Sequence, residues 1–240
     1  MSHAPLPAPT PLLAVLRGRV RPYTRPGTHS AIDKRPVAGV VHVTADGMVG
    51  DAQGDRRVHG GPDKAVHHYP YDHYPAWRTA LPGRDLLDAP GAFGENLSTL
   101  GWTEDTVCLG DIVRVGSVEL EVSQGRQPCW KLDDRFEVRR VAAQVQSTGR
   151  TGWYYRVRQG GTLQAGDTLG VVARPHPDWP LRRLSGLLFQ RTLDRALLEA
   201  AAALPLSPGW MTLIQARLRT ASVESWAARL DGPTGTGHGA

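Results

Sequence analysis

Only two cysteines occur in 240 residues, and one of them, Cys129, stands in the irregular stretch "SQGRQPCWKL", Ser123 to Leu132. Pro128 pins the backbone ahead of it, and the nearby Arg126 favours thiolate over thiol. A turn-borne, activated cysteine suits three uses: ligand to a soft metal, nucleophile, or redox switch. A buried inert thiol is the alternative, and Cys108, inside the strand-like "TVCLGDIV", fits that alternative as a small core residue.

The densest run of polar side chains is "GDRRVHGGPDKAVHHYPYDHYPAW". Gly60, Gly61 and Pro62 rule out a helix or a central strand, so "HGGPDKA" reads as a loop. Its glycines let backbone N–H groups approach a ligand, and Arg56, Arg57, His59 and Lys64 add positive charge, which suits a phosphate or other oxyanion. A glycine turn flanked by surface bases is the competing reading. His67, His68, Asp72 and His73 are metal-ligand types. The His68–His73 spacing is not that of one helical face, however, and Pro70 breaks any helix between them. Packing of half-buried His and Tyr side chains accounts for the run equally well. In "GAFGENLSTLG", Glu95 and Asn96 set a carboxylate beside an amide in a glycine-rich loop, either to orient a ligand or to cap local backbone.

These residues need a scaffold, and the strongest signal for one is "DIVRVGSVELEVSQ". Val113 and Val115 alternate with polar neighbours, Gly116 and Ser117 turn the chain, and Val118, Leu120 and Val122 oppose Glu119 and Glu121. "LQAGDTLGVVAR" repeats the Gly-Asp entry of "CLGDIVRV", so a β-rich barrel or sandwich is expected. "DDRFEVRRVAAQVQSTG" reads as a helix burying Phe136, Val138, Val141, Ala142 and Val145. Past "ARPHPDWP" the spacing turns helical. Leu184, Leu187, Leu188, Leu193, Leu197 and Leu198 mark one helix, and Ser207 with Pro208 opens a second. Ser222 opens a third that carries Val223, Trp226, Ala227 and Leu230 on one face. Trp179, Trp210 and Trp226 are expected to fill the small core of this part. The expected organisation is a loose lead-in at 1–11, a β domain at 12–176, a three-helix domain at 180–231 and a disordered tail at 232–240.

Composition narrows the function classes. Apolar residues make up 40% of the chain, mean hydropathy is −0.32, and no apolar run is long enough to span a bilayer. "MSHAPLPAPTPLL" does not read as a signal peptide, and two cysteines suit a reducing, cytoplasmic compartment. Cysteine-rich zinc sites and four-cysteine iron–sulfur clusters lack ligands. The net charge of +5 favours an anionic partner, but the bases are spread rather than gathered, which points away from a nucleic-acid polymer.

In order and rough spacing, "VHGGPDKAVHHYP", "FGENLSTLG", "LGDIVRVG", "VSQGRQPCWKL" and "TGRTGWYYRV" resemble the MOSC domain family. With "SAIDKRPV" (Ser30 to Val37) and the helical appendage, the chain is most similar to its YiiM-like branch. The resemblance implies a mixed, mostly antiparallel β-barrel with a three-helix C-terminal domain. It implies the molybdenum cofactor, a pterin carrying a phosphate, with the "QPC" cysteine, Cys129, as protein ligand to molybdenum; soft thiolate suits such a metal. Ser30, Lys34, His59, Lys64 and Arg126, with the backbone of Gly60 and Gly61, become expected contacts to the cofactor. Glu95 and Asn96 become expected neighbours of the metal, with Glu95 or His59 as proton donor. The family also carries an association with pyridoxal phosphate binding.

The activity implied is reduction of N-hydroxylated compounds such as hydroxylaminopurines and amidoximes. Electrons would come from a separate reductase or carrier of flavoprotein or ferredoxin type, because the chain holds no G-x-G-x-x-G fingerprint and too few cysteines for a cluster. The competing readings are a cofactor or sulfur carrier with Cys129 as acceptor thiol, and a metal-free barrel binding nucleobase-like ligands. Tyr69, Tyr71 and Trp153 are candidate aromatic walls for a flat substrate. A homodimer is a further expectation.

Overall fold

The alternation in "DIVRVGSVELEVSQ" produces a hairpin in which Val113 faces Leu120 and Val115 faces Val118. These four side chains and Val122 are shut away from solvent. Gly116 turns the hairpin at φ 56°, where a Cβ would lie 2.3 Å from the Thr162 carbonyl oxygen, so only glycine fits.

The computed structural model describes residues 3–53 and 60–232. Its strands are β1 (Thr10–Pro11), β2 (Ala14–Gly18), β3 (Arg21–Pro22), β4 (His29–Ser30), β5 (Lys34–Pro36), β6 (Val41–Thr44), β7 (Gly47–Met48), β8 (Val66–His68), β9 (Leu97–Ser98), β10 (Ile112–Val115), β11 (Val118–Gly125), β12 (Trp153–Gln159), β13 (Gly161–Leu163) and β14 (Thr168–Ala173). Nine of them form one sheet in the order β1-β14-β10-β11-β12-β8-β9-β2-β5. Among the described residues its pairings are antiparallel except β8 with β9, which is parallel. The expected mixed, mostly antiparallel β architecture is therefore present, as a half-barrel whose edges are β1 and β5. A small sheet, β13-β6-β7, and the β3-β4 ribbon complete it.

Helices fill the gaps between strands. The first is α1 (Tyr74–Ala80). The helix expected over "DDRFEVRRVAAQVQSTG" is two, α2 (Lys131–Phe136) and α3 (Val141–Thr148). Glu137 and Arg140 between them take left-handed conformations, which no continuous helix accommodates. Asp133 accepts the Arg140 and Ala142 N–H groups at 2.6 and 2.7 Å and starts α3. Phe136, Val141, Ala142 and Val145 are buried as their spacing implies, in a cluster with Tyr69, Tyr74, Trp77 and Phe93.

Among the described residues the C-terminal part holds three helices and a single turn, with bounds other than those expected. The leucine-rich stretch divides into α4 (Leu181–Phe189) and α5 (Arg195–Ala202). Arg191 is left-handed, Asp194 accepts the Leu197 N–H at 3.0 Å to start α5, and Leu193, read as a core leucine, is exposed. Next, α6 (Pro208–Thr220) opens at Ser207 and Pro208 as expected, although the Ser207 hydroxyl makes no capping bond. The expected helix from Ser222 is only the single turn α7 (Ala227–Leu230). Nor do these helices own a separate core. Trp179, Leu184, Leu188, Leu198, Trp210 and Ile214 belong to the cluster that contains Val113, Leu120 and Val122.

The lead-in is ordered rather than loose from residue 3 onward. Ala4 N–H donates to the Pro177 carbonyl, Trp102 Nε1 donates to the Ala8 carbonyl at 2.7 Å, and β1 caps the sheet edge beside β14. Its prolines hold the extended conformation that an edge strand tolerates. The expected disordered tail lies, beyond Gly232, outside the described residues. Among those residues no helix is long and apolar enough to cross a membrane.

Candidate functional site

The central strand β11 pairs with β10 on one side and β12 on the other, and it delivers Arg126 and Cys129 to one mouth of the half-barrel. A cleft opens there. Its wall draws on five other segments: Ser30 to Lys34 between β4 and β5, Asp51 to Gln53 after β7, Lys64 and His67 around β8, the loop of Phe93, Gly94 and Asn96, and Tyr154 of β12.

Cys129 lines the cleft and is 8% exposed, so a ligand reaches its thiol only through the cleft. Lys64 and Arg229 lie close enough to interact with it electrostatically. Burial pushes the Lys64 ammonium down, while Asp63 and Cys129 pull it back up. Cys108 behaves as the sequence implies: fully buried, its thiol is pushed up to about 12 by burial and by Asp111.

Arg126 is anchored by its N–H to the Gly152 carbonyl at 3.0 Å. Arg126 is 6% exposed and its guanidinium hydrogen-bonds Tyr154, yet among the described residues Nη1 is buried with no partner. His67 is the complement. Its Nδ1 lies 3.2 Å from the Gly94 carbonyl, which fixes Nδ1–H as a donor and leaves Nε2 an acceptor; Nε2 too is buried without a partner among the described residues. Burial, then the Arg126 charge, holds His67 far below the usual histidine range, so the ring is neutral. Along β8 side chains alternate between faces. His67 therefore meets the cleft beside Tyr154, ring centroids 4.9 Å apart. His68 points inward, with Nδ1 at 3.0 Å from the Tyr155 hydroxyl and Nε2 at 2.9 Å from Thr99 Oγ1.

The far wall is a closed polar network. Asp51 accepts from the Gly18 N–H at 2.7 Å, from Asn96 Nδ2 at 2.9 Å and from the Lys34 ammonium. Asn96 Nδ2 also donates to the Leu16 carbonyl at 3.1 Å, and Oδ1 accepts the His67 N–H at 3.0 Å. Burial lowers Lys34 and Asp51 partly restores it. Ser30 lines the cleft, its Oγ accepting the Ile32 N–H at 3.2 Å.

Several sequence expectations change place. Glu95 does not line the cleft. It is fully buried and accepts the Gly91 N–H at 2.6 Å, the Phe93 N–H at 3.1 Å and the Tyr74 hydroxyl, which fixes the loop that presents Gly94 and Asn96. Gly60 and Gly61 also stand outside the lining; Gly61, at φ 94°, starts the 3-10 turn that carries Lys64. His59, Arg56 and Arg57 lie outside the described residues. Of the aromatic candidates, Tyr69 and Trp153 are buried in the core and Tyr71 packs on Tyr74, whereas Phe93 and Tyr154 face the cleft. His73 hydrogen-bonds Glu104 at 2.7 Å instead of joining the other histidines. Asp51, Lys131 and Tyr154 were not singled out in the sequence; only Lys131, two residues past Cys129, carried a signal.

An absent group fits this wall. The cleft offers one thiol, one unpartnered cationic donor and one unpartnered neutral acceptor, with Lys64 nearby. Buried polar atoms are ordinarily hydrogen-bonded, so Arg126 Nη1 and His67 Nε2 mark where a ligand's acceptor and donor belong. An anionic pterin bearing a metal for the thiol meets those demands.

Residues 55–170 match the MOSC domain and residues 179–221 the YiiM-like, 3-alpha helix domain. Protein YiiM of Escherichia coli is 38% identical over 222 residues, which are 91% of this chain and 97% of that protein. Its crystal structure superposes with a TM-score of 0.79 at 32% identity, covering 93% of this chain and 99% of that one. A protein named "Reductase" from Gibberella moniliformis is 39% identical over 223 residues, 92% of this chain; the match spans only 40% of that longer protein. A cleft built on the "QPC" turn, a half-barrel with its helical appendage and these matches lead to one conclusion: the chain belongs to the MOSC domain family, in its YiiM-like branch.

Proposed function

We propose that this protein is a molybdenum-cofactor-dependent reductase of N-hydroxylated compounds. The observation that carries the reading is a pair of buried atoms without a partner among the described residues, Arg126 Nη1 and His67 Nε2, in the same cleft as the Cys129 thiol. When bound, the cofactor would supply the two-electron redox chemistry needed to cleave an N–O bond. The net reaction is R–NH–OH plus two electrons and two protons giving R–NH2 and water, with the electrons drawn from a separate reductase or carrier.

The chain's own part is holding, orienting and protonating. Cys129 presents its thiolate to the metal from a turn fixed by Pro128. Arg126 Nη1 donates to an anionic oxygen, and His67 Nε2 accepts from an N–H or O–H of the ligand. Tyr154 and Phe93 give flat apolar walls. Because Glu95 is committed to its own loop, proton delivery passes to Lys34 and Lys64, whose ammonium forms are destabilised by burial. His59 stays a candidate from the sequence.

The test is reduction of a hydroxylaminopurine by molybdenum-loaded protein with an added reductant. Aminopurine formed by wild type and not by Cys129→Ala supports the reading. A loaded protein that makes none, yet passes its cofactor to an apo-acceptor, overturns it in favour of a carrier.

A further inference from the structure

We infer that the C-terminal strap, Trp226 to Gly232, is a working part of the site: it clamps the turn that carries Cys129, with Arg229 as the positioning residue. The strap lies beyond the residues that either family model matches, and its role as cofactor support rests on the function proposed above.

The geometry is specific to that turn. Arg229 Nη1 donates to the carbonyl of Pro128, the residue before Cys129, and Nη2 donates to Gln146 Oε1 of α3 at 2.5 Å. The Arg229 carbonyl accepts the N–H of Trp130, the residue after Cys129, at 2.9 Å. One residue thus grips the backbone on both sides of the thiol. Gly232 then lies flat on the Trp130 ring at φ 76°, where a Cβ would come within 2.6 Å of Cγ. A second anchor comes from the β3–β4 ribbon. Arg25 stacks on Trp130 at 4.2 Å, bridges to Asp134 of α2 and donates to the Asp231 carbonyl at 2.6 Å.

Such bracketing has a chemical use. A lone protein ligand to a metal must hold its direction without help from other ligands, and what it lacks in number must come from the rigidity of its turn. Pro128 limits only one backbone angle; the strap fixes the carbonyl and the amide on either side.

The test compares wild type with Arg229→Ala by hydrogen exchange and by molybdenum content. Losing two charge-assisted hydrogen bonds should speed exchange of the Trp130 amide about tenfold, while amides of the β10–β11 hairpin stay as in wild type. Molybdenum per chain should fall several-fold although Cys129 is intact. Unchanged Trp130 exchange, or hairpin amides rising in step with it, overturns the clamp. Unchanged molybdenum with faster Trp130 exchange overturns its role in the site. Should Arg229→Ala fail to fold, Gln146→Ala, which releases one anchor, carries the same readings. A wild type without molybdenum contradicts the proposed function instead, and the exchange comparison still decides the clamp.

Discussion

Replacing Arg126 by methionine separates ligand binding from stability. The guanidinium is buried with one nitrogen unpartnered among the described residues, and an uncompensated buried charge opposes folding. Arg126→Met should therefore keep or raise the thermal midpoint while cofactor affinity falls about tenfold or more, as expected for losing a hydrogen bond to a charged group. A melting curve and a molybdenum determination on the same preparation check both. Histidine burial adds a pH dependence. His67 and His68 are held neutral by burial, His68 down to about 3, so below the ordinary histidine value of about 6.5 the unfolded chain binds more protons than the folded one. Stability is then complete above that value and falls on acidification, by about 2 kcal/mol at pH 5 from His68 alone. Urea unfolding at pH 7 and pH 5 should show the loss, and His68→Gln should reduce it. At this scale the sequence was informative where chemistry announces itself, as with Cys129 behind a proline and Arg126 three residues before it, while Lys34 came only through the resemblance of "SAIDKRPV". It was silent on His67 against His68, because only the register of β8 decides which ring meets the cleft.

Two buried charged groups hold elements together rather than serving the cleft. Arg217 of α6 is fully enclosed and donates to the carbonyls of Leu187 and Leu188 at the end of α4, while its ion pair with Glu224 keeps that carboxyl down at about 2. Arg217→Ala removes the guanidinium's hydrogen bonds to those carbonyls and its ion pair with Glu224, and should destabilise the chain by about 3 kcal/mol in denaturant unfolding. Glu104 links the turn before α1, the start of β12 and α4. It accepts the Gly152 N–H at 2.7 Å and the His73 Nε2 hydrogen, and its own carbonyl accepts from Arg182. Because the Gly152 carbonyl in turn anchors Arg126, Glu104→Gln should lower both stability, by about 2 kcal/mol, and cofactor loading. The apolar alternation of β10 and β11 was legible residue by residue. Helix ends were not: apolar spacing runs straight through the left-handed Glu137, Arg140 and Arg191, and the breaks come from local capping by Asp133 and Asp194.

At the scale of the whole chain, the helical appendage reads in sequence as a domain, with a boundary near Pro175 to Pro180, but it shares the barrel's core through Trp179, Leu184 and Trp210. Gly125, at the end of β11, lies against Ser185 and Trp210, where a Cβ would come within 2.5 Å of Ser185 Oγ. Tryptophan fluorescence and far-ultraviolet circular dichroism should therefore report one coincident unfolding transition; two separated transitions would mean that the helices fold on their own. Composition could not reveal this, since a shared core and two adjacent cores have the same apolar content.

The central claim is that Cys129 holds a molybdenum centre in the cleft, and metal content tests it most directly. Wild type and Cys129→Ala, purified from a host that makes the cofactor, should differ completely: near-stoichiometric molybdenum by mass spectrometry in the first and none in the second. Wild type free of molybdenum, from a host shown to load a control enzyme, or equal metal in both proteins, would contradict the account.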